Sequence, residues 1–415
     1  MSAPPAVSLV VVNWNGRDLL AECLPSLAAL DYPAERTEAI VVDNGSHDGS
    51  VAWIGQAWPA VRVLANERNL GFAAACNRGA EAAAGELLAF VNSDVRLAPG
   101  WLRTLLDACA ATGAAAAGSR ILDWTGARID FDGALMNFHG HGAQRRHGRP
   151  HRPDPPAPPP HDALFACGAA MIVERARFLA SGGFDSDYFA YFEDVDLGWR
   201  LWLEGARVVH VPAAVAFHRH HGSGMPAGER ARLLERNALA NVVKNYDDAS
   251  LARVLPAALA LLDARARLAS PEAAAAARRA RSDFPRAEPL WRDRRAAVQA
   301  RRRRPDHEIV PLFGEPFRPS LLGRAYWHEQ GRVVREFEVG RIFGDTAAPA
   351  MDDFIEQLEA RIEALEAELA EARRSAEAAS ADRAALTAEI ARLEAERGGA
   401  RRSLWARWRA GRTSE

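Results

Sequence analysis

No stretch of the 415-residue chain holds 18 uninterrupted apolar residues, so nothing in it reads as a membrane-spanning helix. The best candidate, Val254 to Leu262, is too short and is followed by Arg265 and Arg267. Met1 to Ala6 lack the basic stretch and apolar run of a secretory leader. Cysteines are few (Cys23, Cys76, Cys109 and Cys167), and none forms a CxxC pair. That speaks against a small disulfide scaffold and for four buried thiols in a reducing cytosol. The expectation is a soluble cytoplasmic protein, or a peripheral one at the inner face of the plasma membrane. The net charge is only −2, which argues against nucleic acid bound along the whole surface. No GxGxxG opens the helix after the first strand, as a dinucleotide-binding dehydrogenase would require.

What is present is ordinary globular material, 48% hydrophobic and 26% charged, at a length that suits two or three domains. Val7 to Val12 is a β-branched run ending at Asn13, as expected of a buried parallel strand. A helical pattern follows through Leu19, Leu20, Cys23, Leu24 and Leu27. Further strands are expected at Ala39 to Val42, Val61 to Leu64 and Leu87 to Val91, with a helix at Ala73 to Ala84. This alternation predicts an α/β fold, a mostly parallel sheet flanked by helices. Ligands of such sheets sit at the carboxyl ends of strands. Polar residues collect there: Asn13, Asn15, Asp43, Asn44, Asn69, Asn92 and Asp94. The proline-rich segment Arg149 to Pro160 reads as a surface loop or a lid. Strand and helix signals resume at Ala169 to Val173, Val195 to Leu203 and Arg207 to Val211.

Strand signals fade beyond Asp247. Leu251 to Leu268 reads as an amphipathic helix, and residues 264–304 hold thirteen arginines against four acids. Such a run is a solvated face or an anion-binding surface. Pro305 to Gly344, rich in Pro, Gly and aromatics, is expected to pack back on the first domain. Residues 351–397 carry a 3.5-residue apolar period. Ile355, Ile362, Leu369 and Ile390 take one core position, and Leu358, Leu365, Leu386 and Leu393 the other. That is a coiled coil. Residues 398–415 place Trp405 and Trp408 among arginines, which fits a membrane interface and a disordered tail equally well. The expected domains are therefore 1–247, a helical Arg-rich region 248–350, a coiled coil 351–397 and a basic tail 398–415.

Six short motifs stand in order: VVVNWNG (10–16), VVDNGSHDGS (41–50), NLGFAAACNRG (69–79), FVNSD (90–94), GGFDSDYFAYFEDVDLGWRLWLEG (182–205) and VVHVPAAVAFHRHHGSG (208–224). Here residues 6–247 resemble the family 2 glycosyltransferases, which have the glycosyltransferase A fold and invert the anomeric centre. Among these the chain looks most like the bacterial rhamnosyltransferase-like branch. The resemblance implies a nucleotide-sugar donor linked through dTDP, UDP or GDP. It also implies a glycan or lipid-linked acceptor in cell-surface polysaccharide assembly, and Mg²⁺ or Mn²⁺ as cofactor.

The residues fit that chemistry. Asp43, beside Asn44, can accept hydrogen bonds from a base N–H or a ribose hydroxyl, and by resemblance it is the base-contacting aspartate. As an isolated residue it would be a turn former before Gly45. Asn13, Asn15, Asn69, Gly71, Phe72 and Asn92 complete the expected donor site. Asp94 stands where the family carries its DxD metal motif, here reduced to Asn92-Ser93-Asp94. One carboxylate binds a hard cation poorly unless the donor adds oxygens. His218 aligns with a histidine that ligates the metal in some relatives, with His220 and His221 close by. By resemblance Asp194 is the base that takes the acceptor proton, and Glu193 binds acceptor or supports the base. Asp196 lies four residues before Arg200, the spacing of a helical ion pair.

Two other functions share parts of this pattern. A sugar-phosphate nucleotidyltransferase would need a Gly-rich basic loop after the first strand, and NWNGRDLL is a poor version of it. An inactive scaffold organised by the coiled coil would have no reason to keep Asp94 and Asp194. The heptads do predict a homodimer. Light scattering should give a dimer for the full chain and a monomer for a version ending near Ala350; monomers for both at micromolar concentration would refute the coiled coil.

Overall fold

The computed structural model describes residues 3–153, 158–219, 224–317 and 323–344, with isolated positions between 370 and 392. The expected coiled coil and tail lie outside the described residues, as do His220 and His221. The chain divides into two units, 1–348 and 349–415. The change of composition near Asp247 thus falls within the first unit, where sheet gives way to helices.

The alternation read from the sequence appears as β1 (Val7–Asn13), α1 (Arg17–Ala28), β2 (Thr37–Asp43), α2 (Ser50–Ala57), β3 (Arg62–Ala65), α3 (Phe72–Ala82) and β4 (Leu87–Asn92). β1 pairs in parallel with β2 and with β4, and β2 with β3. Buried Val, Ile and Leu fill β1, β2 and β4, because helices cover both faces of a parallel sheet. The register sets Asn13 beside Asp43 and Val12 beside Asn92, so the polar strand ends share one edge.

Antiparallel strands join this parallel core in the remainder of the sheet. That remainder comprises β5 (Val95–Leu97), β6 (Ala116–Asp123), β7 (Ile129–Phe131), β10 (His161–Asp162), β11 (Ala170–Glu174) and β12 (Val208–His218). Helix α4 (Trp101–Thr112) and the hairpin β8 (Ala134–Met136) and β9 (Gly142–Gln144) interrupt the run. β11 inserts antiparallel between β4 and β6, and β6 pairs in parallel with β12. The expected strand at Arg207 to Val211 is longer, because β12 continues past an irregularity between Val211 and Val215 to reach His218. β6 went unread because alanines have little β-propensity. They fit here because the strand is buried throughout and its neighbours press close. A Cβ on Gly118 would meet that of Ala166 at 2.9 Å.

Helices α5 (Arg175–Ala180) and α6 (Glu193–Leu203) precede β12; α7 (Ala227–Asn245), α8 (Asp248–Leu268), α9 (Pro271–Arg301), α10 (Asp306–Ile309) and α11 (Arg324–Glu336) follow it. Phe313 packs edge-on against Trp199 of α6, with ring centroids 5.1 Å apart, and Phe317 lies 5.7 Å from Phe138. Phe313 and Phe317 thus rest on the first domain, as expected. Among the described residues no helix is long and apolar enough to cross a membrane.

Helix α6 is pinned by charge. Asp196 is fully buried and pairs with Arg200 at 2.8 Å, the expected i,i+4 contact, and with Lys244 of α7 at 2.8 Å. Lys244, the only lysine in the chain, also holds Asp185 at 2.6 Å. Arg200 further donates to the carbonyls of Ser181 and Gly183. Removing one member of a buried ionic network leaves charge uncompensated, at a cost of about 3–5 kcal/mol. Lys244→Ala should therefore lower urea-unfolding stability by about that amount. A loss below about 1 kcal/mol, the range of an exposed pair, would refute the network's role.

Candidate active site

Three groups of side chains gather along the carboxyl edge of β1, β2 and β4. In the first, Asn13 donates to Asp43 Oδ2 at 2.9 Å and to Ser46 Oγ at 3.2 Å, while Asp43 Oδ1 accepts from Ser46 N–H at 2.9 Å. Asp43 thus closes the turn after β2. Each carboxylate offers about four lone-pair directions, so capacity for a ligand remains. Asn15, at φ 51°, accepts from His47 N–H and borders an open cavity of about 590 Å³ with Arg17, Asp48 and Arg219.

Asn69 is turned into its loop. It accepts from Asn44 at 2.9 Å and from Gly71 N–H at 2.9 Å, and Asn44 in turn accepts from Leu70 N–H and Asn66. Asn44, half of an unremarkable Asn-Gly turn signal in the sequence, is the residue that ties the loops after β2 and β3 together. Gly71 has φ 86°, and a Cβ there would lie 2.5 Å from Phe189 O. Only glycine fits this approach. The buried Oδ1 atoms of Asn13 and Asn92 have no partner within the protein. Two unpartnered acceptors at adjoining strand ends suit a site that takes a hydrogen-bonding ligand.

The second group is built on His218. Its position opposite Val95 in the β5–β12 pairing brings it to Asp94. Nε2 lies 3.2 Å from Asp94 Oδ1, and Nδ1 lies 2.8 Å from Asp130 Oδ2. Asp130, in β7 and nearly fully buried, was missed by sequence reasoning. Its signal is the Asp130-Phe131-Asp132 alternation, a strand-like pattern that runs one residue past β7. The second acid, Asp132, holds Arg120 at 2.7 Å and Arg146 at 2.8 Å. Two carboxylates push the His218 imidazole up to about 9 against the opposing effect of burial.

One carboxylate and one imidazole nitrogen converging at 3.2 Å, with the other ring nitrogen held by Asp130, fit a divalent cation whose remaining ligands come from elsewhere. Among the described residues no cluster of three or more His, Cys, Asp or Glu is arranged to hold a metal by itself.

The third group lies at the start of α6. Asp194, partly exposed, accepts from Gly168 N–H at 2.9 Å and from Val195 N–H at 2.8 Å. Burial raises its pKa, and the two N–H bonds oppose that rise. Glu193 is buried beside it, with Oε2 unpartnered; burial and then the Asp194 charge push it up to about 8. Glu193 thus lies beneath the surface that Asp194 faces. Phe72 packs near Gly168 and 6.2 Å from Phe184. Asn92 N–H donates to Ala169 O at 3.0 Å, so the segment 168–169 joins Asp194 to the Asp94 end of β4. The turn leading into α6 is strained, since Phe189, Tyr191 and Phe192 all have positive φ (62°, 71° and 67°). Each costs on the order of 1–3 kcal/mol, the kind of strain that collects at functional sites. Of the four thiols, Cys23 and Cys76 are buried and Cys109 and Cys167 partly exposed; burial raises all four pKa values.

The His218 environment makes a pH prediction. A group whose folded pKa is raised contributes stability that is full below its unfolded value, near 6.5, and is lost as pH rises through about 9. Urea unfolding in EDTA should show stability falling across that window by on the order of 3 kcal/mol. Asp130→Asn should flatten the fall, and an equal slope in both proteins would refute the coupling.

Comparisons with known proteins bear on this geometry. The model of "Glycosyl transferase family 2" matches residues 8–166. The chain is 33% identical over 224 residues to the N-acetylglucosaminyl-diphospho-decaprenol L-rhamnosyltransferase of Mycobacterium tuberculosis, covering 48% of this chain and 72% of the relative. It is 29% identical over 233 residues to the O-antigen biosynthesis protein RfbC of Myxococcus xanthus, covering 53% of this chain and 18% of that protein. Among solved structures it is similar to S. aureus TarS 1–349 in complex with UDP-GlcNAc, at 16% identity and a TM-score of 0.49, covering 75% and 91% of the two chains. With the ordered motifs and a rhamnosyltransferase relative matched over most of its length, the chain belongs to glycosyl transferase family 2 and is a glycosyltransferase.

Proposed function

We propose that this enzyme transfers a hexosyl group, with inversion, from a nucleoside-diphosphate sugar to a hydroxyl of a glycan or lipid-linked acceptor in cell-surface polysaccharide assembly. The observation that carries the reading is the Asp194 carboxylate: partly exposed, fixed by two backbone N–H groups, and joined through residues 168–169 to the Asp94–His218 pair. Asp194 takes the proton of the acceptor hydroxyl while that oxygen bonds to the anomeric carbon and the bond to the diphosphate breaks. Its raised pKa suits a base that works near neutral pH. Glu193, protonated up to about 8, adds no second negative charge beneath it at neutral pH.

Asp94 and His218 would hold Mg²⁺ or Mn²⁺, with Asp130 fixing the histidine ring. When bound there, such a cation would supply positive charge against that developing on the leaving diphosphate. Asp43 and the unpartnered Asn13 and Asn92 oxygens would receive the nucleotide, with Gly71 and Phe72 forming the adjoining wall. Rhamnose, the sugar named for the Mycobacterium relative, is the first donor sugar to test, and that relative's name supports a lipid-linked acceptor. Dimerisation through residues 351–397 would pair two basic tails, each a weak candidate for peripheral membrane contact.

The test is a panel of dTDP-rhamnose, UDP-N-acetylglucosamine and GDP-mannose, with wild-type protein and Asp194→Asn, in EDTA and then with Mn²⁺. Asp194→Asn should lose about 10²-fold or more in turnover while donor binding persists. EDTA should abolish wild-type turnover, and Mn²⁺ should restore it except in Asp94→Ala. Near-wild-type turnover in folded Asp194→Asn would sink the base assignment, and full activity in EDTA the metal.

A further inference from the structure

The turn before α6 is held by one side chain far away in sequence. Phe189, at φ 62° and ψ −61°, is the centre of a γ-turn closed by Ala190 N–H donating to Tyr188 O at 2.7 Å. This hand of γ-turn is rare and strained. Tyr191 and Phe192 then continue at positive φ into Glu193. A backbone bent this way turns its carbonyls toward one point, and Asn237 of α7 occupies it. Fully buried, its Nδ2 donates to Tyr188 O at 3.1 Å, Ala190 O at 2.9 Å and Tyr191 O at 2.7 Å. Its Oδ1 accepts from Arg236, which also donates to Asp187 O.

The turn touches both halves of the site. Its Phe189 carbonyl accepts from Ala73 N–H at 3.3 Å and presses on Gly71, where no Cβ could stand. Its far end runs into Glu193 and Asp194, and Phe192 O accepts the Asp196 N–H that starts α6. A change in its curvature moves the 69–72 loop and the Asp194 carboxylate together.

We propose that Asn237 is a positioning residue for sugar transfer: its buried amide fixes the 188–192 turn, and through it the placing of Gly71 and Phe72 relative to Asp194. This rests on Asp194 acting as the base, and the test separates the two ideas.

Hydrogen exchange by mass spectrometry is compared for the full-length wild type, Asn237→Ala and Leu261→Ala. Leu261, buried on α8 and outside the hydrophobic cluster that holds Tyr188, is the control for lost stability. In Asn237→Ala, exchange should rise tenfold or more over residues 71–76 and 188–194 and stay unchanged over β1 and β2. With the most active of the three nucleotide sugars named above, kcat should fall at least tenfold and the donor KM should rise. Leu261→Ala should keep both constants within twofold. Asn237→Ser, retaining one donor, should lie between. Unchanged exchange at the two segments, a uniform rise along the chain, or wild-type constants in Asn237→Ala would overturn the proposal. So would failure of both Asn237 variants to fold, since the amide would then serve folding alone. If Asp194→Asn proves active, the base assignment falls, while the exchange pattern still decides the role of Asn237.

Discussion

Asp196 has no exposed surface, yet it carries a charge, and the arrangement around it governs how the candidate base is presented. A lone carboxylate at that depth would take up a proton. Arg200 and Lys244 instead hold its pKa far below the usual carboxylate range. Both cations have second obligations, Arg200 to the carbonyls of Ser181 and Gly183 and Lys244 to Asp185. Helix α6, the GGFD loop and α7 therefore cannot shift independently. On α7, Asn237, Asn241 and Lys244 follow at helical spacing. Asn241 accepts from the Tyr188 hydroxyl and donates to Gly140 O. One polar, buried stripe thus faces the strained turn along its length. Strain persists only where its surroundings over-determine it, and this stripe supplies that over-determination.

The parallel half of the sheet was legible because its strands are β-branched runs ending in polar residues, a pattern with one physical explanation. The motif residues could be located but not oriented. Asn69 reads as a ligand-facing residue and turns out to brace its own loop. Glu193 and Asp194 are neighbours with the same chemistry, and only the fold separates a buried carboxyl from a partly exposed one. Asp130 was missed because its partner is 88 residues away and its strand has three residues, which leaves the Asp-Phe-Asp alternation as its one faint signal. Asn237, Asn241 and Lys244 belong to no motif and lie on a helix that the sequence did not announce, on a face buried against other polar groups. The i,i+4 pair of Asp196 and Arg200 was legible because helix geometry alone dictates it.

The arginine run 264–304 illustrates a related point. Eight of its thirteen arginines are exposed, as a solvated face would have them, but others are spent inside the protein. Arg265 makes a bidentate pair with Glu235 at 2.8 and 2.7 Å and donates to the Tyr326 hydroxyl. Arg295 donates to backbone carbonyls at the end of α7, and Arg302 pairs with Asp306. Guanidinium groups offer five donors in a fixed fork, so they can satisfy helix C-terminal carbonyls and carboxylates together. A charge surplus in sequence here includes a few buried fasteners that tie α8 and α9 to α7, α10 and α11.

The single lysine has a practical side. Reagents that acylate or cross-link ε-amino groups need one that is neutral and reachable, and Lys244 is buried between two carboxylates. Lysine-directed labelling would therefore find no target in the folded chain and one in the unfolded chain. The extent of lysine modification is in effect a built-in counter of molecules in which α7 has parted from α6.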